Sequence, residues 1–175
     1  MTGYVSLLRG INLGPVNQVS MPALKQVYVD LGFDHVQTYI RSGNVVFGSD
    51  EPPDRVRRRI EAGIAEHLGM TIDVVVRTHA ELASVVERNP FPGADPKHLH
   101  VVFLAAPLPG ELTARLAEQD FGADEYAPDD REVYLHLPNG FGRSRLATRM
   151  SALRAPVVAS VRNWRTVNRL CEMSW

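Results

Sequence analysis

The chain is divided by one stretch, Asn89-Pro90-Phe91-Pro92-Gly93-Ala94-Asp95-Pro96, in which three prolines and a glycine prevent any regular helix or strand. On each side of this stretch the hydrophobic pattern predicts the same succession, β-α-β-β-α-β and then a helix. Its first six elements are those of the split βαβ, or ferredoxin-like, order. The sequence therefore predicts an α+β protein of two ferredoxin-like βαββαβ lobes in tandem, each followed by a helix. The expected boundaries are residues 1–88 for the N-terminal lobe, 89–98 for the linker and 99–175 for the C-terminal lobe.

The first half alternates short apolar runs with amphipathic helices. Ser20 can cap the first helix, and the motif Thr78-His79-Ala80-Glu81 matches a capping box before the third. The predicted strands are Tyr4–Leu8, Val36–Ile40, Val45–Phe47 and Ile72–Val76. The predicted buried stripes of the first two helices are Leu24, Val27, Tyr28, Leu31 and Val56, Ile60, Ile64, Leu68.

Alternation along the strands of the first half divides their residues between two sheet faces. We assign Val5 and Leu7 to an apolar face beneath the helices, and Ser6 to the opposite, mixed face. Tyr39 and Asn44 fall on the mixed face with Ser6. That face could bind a ligand or could simply be wetted.

The second half repeats the pattern. Ser144 and Asn163 can cap its last two helices, and an earlier helix is predicted at Glu111–Ala117. The predicted strands are His100–Leu104, Glu125–Ala127, Glu132–Leu137 and Val157–Val161. Both faces of His100–Leu104 are largely apolar, so we expect this strand to be covered on both sides.

Composition excludes several classes of protein. The chain has 175 residues and a single cysteine, Cys171, so an internal disulfide is impossible. This is typical of proteins from reducing compartments. Its apolar runs are shorter than the roughly 20 residues that span a bilayer, and the first residues lack the pattern of a signal peptide. We therefore expect a soluble cytoplasmic protein without a membrane partner. No cofactor motif and no metal site is predicted, and no feature predicts an oligomeric state.

Charge is unevenly distributed, although the net charge is only −1. Residues 89–132 carry nine acidic and three basic side chains, for a net charge of −6. Residues 133–175 carry seven arginines and one glutamate, for a net charge of +6. The last quarter of the chain is thus a concentrated basic segment, which favours anionic partners.

Two loops join a predicted strand to a helix and combine glycine with arginine. The first is Arg9-Gly10-Ile11-Asn12-Leu13-Gly14, and the second is Asn139-Gly140-Phe141-Gly142-Arg143-Ser144-Arg145. Glycines let backbone amides turn toward an anion, and the arginines add full charges. Neither loop contains Gly-Lys-Ser/Thr, so neither is a P-loop. The alternative is that the glycines only satisfy turn geometry, that Ser144 only caps and that the arginines are solvated.

A third candidate is Arg162-Asn163-Trp164-Arg165, where a tryptophan between arginines could stack on a base. The simpler alternative is that Asn163 caps the last helix and Trp164 anchors it in the core. The candidate ligand-binding residues from all these segments are Arg9, Gly10, Asn12, Tyr39, Arg41, Ser42, Asn44, Asn139, Gly140, Gly142, Arg143, Ser144, Arg145, Asn163 and Trp164.

Four segments resemble one known family. They are Leu7-Leu8-Arg9-Gly10-Ile11-Asn12-Leu13-Gly14, Thr38-Tyr39-Ile40-Arg41-Ser42-Gly43-Asn44-Val45-Val46-Phe47, Leu137-Pro138-Asn139-Gly140-Phe141-Gly142-Arg143-Ser144 and Arg162-Asn163-Trp164-Arg165-Thr166-Val167. Their order and spacing are similar to the bacterial "domain of unknown function 1697" family, nearly end to end. The resemblance implies a two-lobed α+β fold and no activity. Relatives often carry lysine where this chain has Arg145, and arginine stays protonated, so it cannot serve as the base of a Ser–Lys pair.

Together these features favour binding of an anionic ligand, a phosphorylated small molecule or nucleotide, near the interface of the two lobes. A first alternative is a nucleic-acid-binding protein that uses an open sheet face and the basic C-terminal segment, although its central strands lack an RNP-type aromatic pattern. A second alternative is an enzyme acting on a phosphorylated or carboxylated substrate, with Ser144 or Tyr39 near the chemistry. No acid–base pair or triad can be named, so catalytic residues stay unassigned.

Overall fold

The structure, a computed structural model, describes residues 1–154 and 156–175. The α+β prediction is confirmed: the described residues form six α-helices and two four-stranded antiparallel sheets. Contacts within the chain define two compact units, the first of Met1–Ser84 with Arg169–Trp175 and the second of Val85–Asn168. Among the helices in these residues, none combines the length and the apolar composition that crossing a membrane requires.

The first sheet has the order β2-β3-β1-β4, with every neighbouring pair antiparallel. Its strands are β1 (Thr2–Leu8), β2 (Asp34–Tyr39), β3 (Asn44–Ser49) and β4 (Val74–Thr78). The helices that follow these strands are α1 (Met21–Asp30), α2 (Pro53–Leu68) and α3 (His79–Glu87).

The helix boundaries follow from local chemistry that the sequence predicts. The Ser20 hydroxyl accepts from the Ala23 amide at 3.2 Å at the start of α1. At the start of α3 the Thr78 amide donates to the Glu81 carboxylate at 2.8 Å, and the Glu81 amide donates to the Thr78 hydroxyl at 3.2 Å. The prediction of a capping box is therefore confirmed. Gly69 ends α2 in the left-handed conformation, at φ +65°.

The face assignment of β1 was wrong. Tyr4 and Leu8 belong to the core beneath the helices, and the Ser6 hydroxyl on the same face is 2.7 Å from the buried Tyr28 hydroxyl of α1. Val5 and Leu7 lie on the other face and are also buried. Odd- and even-numbered residues of this strand are both largely apolar, so the alternation of residue types alone could not decide which face lies beneath the helices.

The second sheet has the order β6-β7-β5-β8, again antiparallel throughout. Its strands are β5 (Leu99–Leu104), β6 (Glu125–Pro128), β7 (Glu132–His136) and β8 (Ala159–Asn163). The remaining helices are α4 (Gly110–Ala117), α5 (Arg145–Ser151) and α6 (Trp164–Met173). Strand β8 begins two residues later than the predicted Val157. Residues on both faces of β5, such as Val101 and Val102, are fully buried, as predicted.

Candidate functional site

The loop between β7 and α5 is organised by its own backbone hydrogen bonds. Gly140 has φ +86°, and its amide donates to the Leu137 carbonyl at 2.9 Å. The amides of Arg143 and Ser144 donate to the carbonyls of Gly140 and Phe141 at 3.3 and 3.2 Å, forming a single 3₁₀ turn. Because these donors are engaged within the loop, an anion here would depend on side chains more than on the backbone amides that the sequence suggested.

Ser144 caps α5. Its hydroxyl accepts from the Ala147 amide at 2.8 Å, and its side chain is buried. The Thr148 hydroxyl donates to the Ser144 carbonyl at 3.0 Å, which adds a second bond across the first turn. The Ser144 hydroxyl therefore has a structural partner and lies away from solvent.

The solvent-side face of α5 lines a cavity of about 850 Å³ in the second unit. Three residues of α5 and its C-cap, Ala152, contribute, at the spacing i, i+3, i+4 and i+7 of one helix face. The facing wall is the loop after α4. The lining residues are Gln119, Asp120, Phe121, Gly142, Arg143, Ser144, Arg145, Thr148, Arg149 and Ala152.

Three arginines and one acidic residue set the charge of this cavity. The Arg145 guanidinium donates to the main-chain carbonyl of Asp120 at 2.6 Å, which joins the two walls. The side chains of Arg143 and Arg149 make no hydrogen bond or ion pair with the protein across residues 1–154 and 156–175. Two of the three guanidinium groups are thus available to a ligand, and Asp120 leaves the lining with a net charge of +2.

The structure brings four predicted residues, Gly142 to Arg145, to this cavity. Sequence reasoning missed Arg149, although its spacing of four from Arg145 on a helix was available as a signal. Nothing in the sequence marked residues 119–121 as part of the site. They belong to a separate loop, which lies near α5 only because α4 packs against the sheet.

The first candidate loop is held by internal contacts. The Asn12 side chain donates to the carbonyls of Val19 at 2.9 Å and Arg41 at 2.8 Å, and its oxygen accepts from the Val19 amide at 2.9 Å. Arg9 is paired with Asp73 at 3.9 Å. Asn12 itself is left-handed, at φ +55°, a conformation in which asparagine is tolerated. Its amide group therefore organises the loop.

The β2–β3 hairpin closes against this loop. Asn44 is buried, and its side chain donates to the Tyr39 carbonyl at 2.9 Å and the Ser42 hydroxyl at 3.0 Å. The Leu8 amide donates to the Gly43 carbonyl at 2.8 Å. Together with the bond from Asn12 to Arg41, these contacts join the first two family-like segments into one substructure, from which the Arg41 side chain is exposed.

The third candidate segment begins α6. The Asn163 side-chain oxygen accepts from the Thr166 amide at 2.8 Å, so the predicted cap is present. Trp164 is half-buried. Stacking of Trp164 on a base stays a prediction, as does a ligand site near the interface of the two lobes.

The mixed sheet face of the first unit is not open. Val46, Val75 and Arg77 on that face are 0–2% exposed, and Asn44 is fully buried. In the second sheet Phe103 is likewise buried. Nucleic-acid binding through an open sheet face therefore has no support from the burial of these strands.

Histidines near the second loop do not form a metal centre. Burial lowers the pKa of His100, whose ring packs on Phe141 with centroids 5.0 Å apart. Within the described part of the chain, no group of three or more histidine, cysteine, aspartate or glutamate side chains could hold a metal ion.

Comparison with known proteins identifies a fold and a family. The solved structure of conserved bacterial protein SP0830 from Streptococcus pneumoniae is similar to this chain with a TM-score of 0.78, at 20% sequence identity and over 98% of each chain. At that identity the likeness concerns the fold alone. No curated protein matches the chain. The model of the family described as "Protein of unknown function (DUF1697)" matches residues 1–134, and because this is most of the sequence, the chain belongs to that family.

Proposed function

We propose that this protein binds a phosphorylated or otherwise anionic small molecule in the cavity beside α5. The observation that carries the proposal is the lining itself: three arginines and one carboxylate face one space, and two of the guanidinium groups have no partner in the described residues. Guanidinium groups form paired, charge-assisted hydrogen bonds with phosphate oxygens.

The free protein carries an electrostatic cost at this place. Arg145 and Arg149 are four residues apart on α5, so their charges are neighbours on one helix face. Like charges at this spacing destabilise a helix by roughly 0.2–0.5 kcal/mol. A bound anion beside Arg149 would offset that repulsion.

The walls of the cavity are held in place before any ligand arrives. The bond from Arg145 to the Asp120 carbonyl ties the facing loop to α5, and the Ser144 cap fixes the first turn of the helix. A preformed site loses less conformational entropy on binding. This organisation favours specific recognition over loose attraction to a basic surface.

The experiment is a calorimetric titration of the full chain with inorganic phosphate and with pyrophosphate. We expect saturable binding that Arg143→Gln and Arg149→Gln each weaken at least about tenfold, the effect of losing one charge-assisted bond. Arg58→Gln is the matched control, because Arg58 is an exposed arginine on a helix face of the first unit. Absence of saturable binding, or equal weakening by all three variants, would contradict the proposal.

We also propose that the chain contains two ferredoxin-like lobes, with residues 89–98 linking a lobe of residues 1–88 to one of residues 99–175; these bounds differ from the compact units, in which Arg169–Trp175 groups with the first half. The equivalent sheet orders, β2-β3-β1-β4 and β6-β7-β5-β8, support this arrangement. Limited proteolysis tests the linker. First cleavage within residues 89–98 is the expected result, and first cleavage inside either sheet would count against it.

A further inference from the structure

The cavity has a feature that a simple anion does not use. Phe121 lines it, and the Phe121 ring meets the Tyr126 ring edge-on with centroids 6.2 Å apart. Both rings pack against the core of the second unit. One aromatic side chain is thus held firmly at the wall of a cavity that also holds arginines.

The size of the cavity also exceeds what a phosphate ion needs. The cavity is open to solvent, because most of its lining residues are exposed, and its volume of about 850 Å³ lies within the roughly 300–1,000 Å³ of small-molecule sites. An inorganic phosphate would fill a small part of it and would leave Phe121 wetted. An organic group attached to the phosphate could fill the remaining space and cover that ring.

The wall beside Phe121 also offers hydrogen-bond acceptors. The Asp120 carboxylate accepts from the Gly122 amide at 2.8 Å, which fixes its position. The Gln119 side chain donates its amide N–H to the Arg115 carbonyl at 3.1 Å, and its amide oxygen is an acceptor. Carboxylate and amide oxygens suit ligand hydroxyl or N–H groups, which a sugar and a heterocyclic base both supply.

We propose that the ligand is a phosphate monoester that carries a planar heterocyclic ring, which is the chemistry of a mononucleotide. The phosphate lies between the Arg143 and Arg149 guanidinium groups, and the ring stacks on Phe121. The inference rests on the proposed anion site and adds the class of compound that occupies it.

Charge favours a single nucleotide over a polymer. The lining carries a net charge of +2, and a phosphate monoester carries about −1.5 to −2 at neutral pH, so one such group balances the site. The adjoining segment is acidic, with Glu118, Asp124 and Glu125 around Asp120. Further phosphates of a nucleic-acid strand would be repelled there.

The test compares four probes on the full chain by calorimetry: adenosine monophosphate, ribose 5-phosphate, adenosine and a short single-stranded oligonucleotide. We expect adenosine monophosphate to bind roughly 5–150-fold more tightly than ribose 5-phosphate, the gain that one stacked base gives. Phe121→Leu should remove this difference and leave the affinity for ribose 5-phosphate unchanged. Phe141→Leu is the matched control, since Phe141 is an exposed ring outside the lining, and should change neither affinity.

The outcomes separate this inference from the proposed function. Equal affinity for adenosine monophosphate and ribose 5-phosphate would overturn the ring subsite and leave the anion site standing. No binding of inorganic phosphate or of any phosphate ester would overturn both. Tighter binding of the oligonucleotide, with steep salt dependence, would overturn the assignment to a single nucleotide. The ratio of affinities in the unaltered protein decides the question even if Phe121→Leu fails to fold, and Phe121→Tyr should then retain the preference.

Discussion

Arg77 and Arg162 occupy equivalent positions in the two sheets of this protein. Val5 of β1 lies directly opposite Arg77 of β4, and Val101 of β5 lies directly opposite Arg162 of β8. Both arginines are buried, at 2% and 8% exposure, on the sheet face away from the helical core that the register defines. A buried arginine therefore stands at the same register in both sheets.

The contacts of the two arginines are also alike. Arg77 donates to the carbonyl of Val76 at 2.9 Å, and Arg162 donates to the carbonyl of Val161 at 2.8 Å. The residue after each arginine then accepts a bond from an amide three residues on, which begins a helix. The repeated unit is therefore a strand end, a buried arginine, a cap and a helix.

We predict that Arg77→Ala and Arg162→Ala each lower the free energy of unfolding by about 2–4 kcal/mol, because each removes buried charge-assisted hydrogen bonds and leaves their acceptors unpaired. Burial lowers the pKa of Arg162 to about 10, so the group is still charged at neutral pH. Arg162→Lys should recover little, because an ammonium group cannot reproduce the planar fork. Urea denaturation measures these effects, and an unchanged midpoint for either alanine variant would contradict the equivalence.

Much of this fold could be predicted from local signals. Spacing and hydrogen-bond chemistry near each residue predict the order of the elements and the buried stripe of α2. They also predict the helix caps at Ser20, Ser144 and Asn163. The face assignment of β1 was wrong, because its odd- and even-numbered residues are both largely apolar. Only the register with β3 and β4 decides that Ser6 lies with Tyr28 beneath the helices, and register depends on distant residues.

A second prediction concerns alkaline pH. Burial raises the pKa of Tyr134 to about 12, and it raises the pKa of Tyr28 further. Between the unfolded value near 10 and these folded values the native state binds more protons than the unfolded state, so stability is complete below pH 10 and falls above it. Each tyrosine contributes up to about 1.4 kcal/mol per pH unit in that range, and Arg162, whose lowered pKa acts in the opposite direction, offsets part of the fall. Unfolding curves at pH 9, 10 and 11 should show the fall, and Tyr134→Phe should make it shallower. A slope identical in the variant would argue against this assignment.

A third prediction tests the packing of the β2–β3 hairpin against the loop after β1. Gly43 has φ +81°, and a Cβ there would lie 2.6 Å from Ile11 Cδ1 and 2.9 Å from Leu8 Cβ. Gly43→Ala should therefore destabilise the first unit by about 2–4 kcal/mol through backbone strain and overpacking. Gly93→Ala is the control, because its Cβ would meet no atom within 4 Å and its φ is ordinary. Equal melting temperatures for the two variants would show that position 43 tolerates a side chain.

The candidate site was only half predictable for a physical reason. Arg143 and Ser144 stand in a loop whose glycines and charges are visible in sequence. Phe121 and Asp120 reach the same cavity from a loop about 20 residues earlier, and nothing local marks them. The structure also gives the backbone amides less of a role in ligand binding than the sequence predicted, because the amides of Gly140 and Arg143 already donate hydrogen bonds inside the loop.

A fourth prediction separates capping from binding at α5. Ser144→Ala should lower stability by about 1 kcal/mol, the usual effect of losing an N-cap, and should leave phosphate affinity nearly unchanged. Arg143→Ala should do the reverse, weakening binding by about 1.5–3 kcal/mol with little change in the melting temperature.

Arg149→Ala should weaken binding and leave the stability of the free protein nearly unchanged. In the absence of ligand, the removal of a like charge four residues from Arg145 and the gain in helix propensity are opposed by the loss of a cation that interacts favourably with the last turn of α5. In saturating phosphate the variant should be less stable than the unaltered protein, because it lacks the binding energy that the unaltered protein gains. Thermal melts with and without phosphate, at constant ionic strength, measure both terms. If Arg149→Ala is less stable than the unaltered protein under both conditions, then Arg149 serves the fold, and the anion site loses its strongest support.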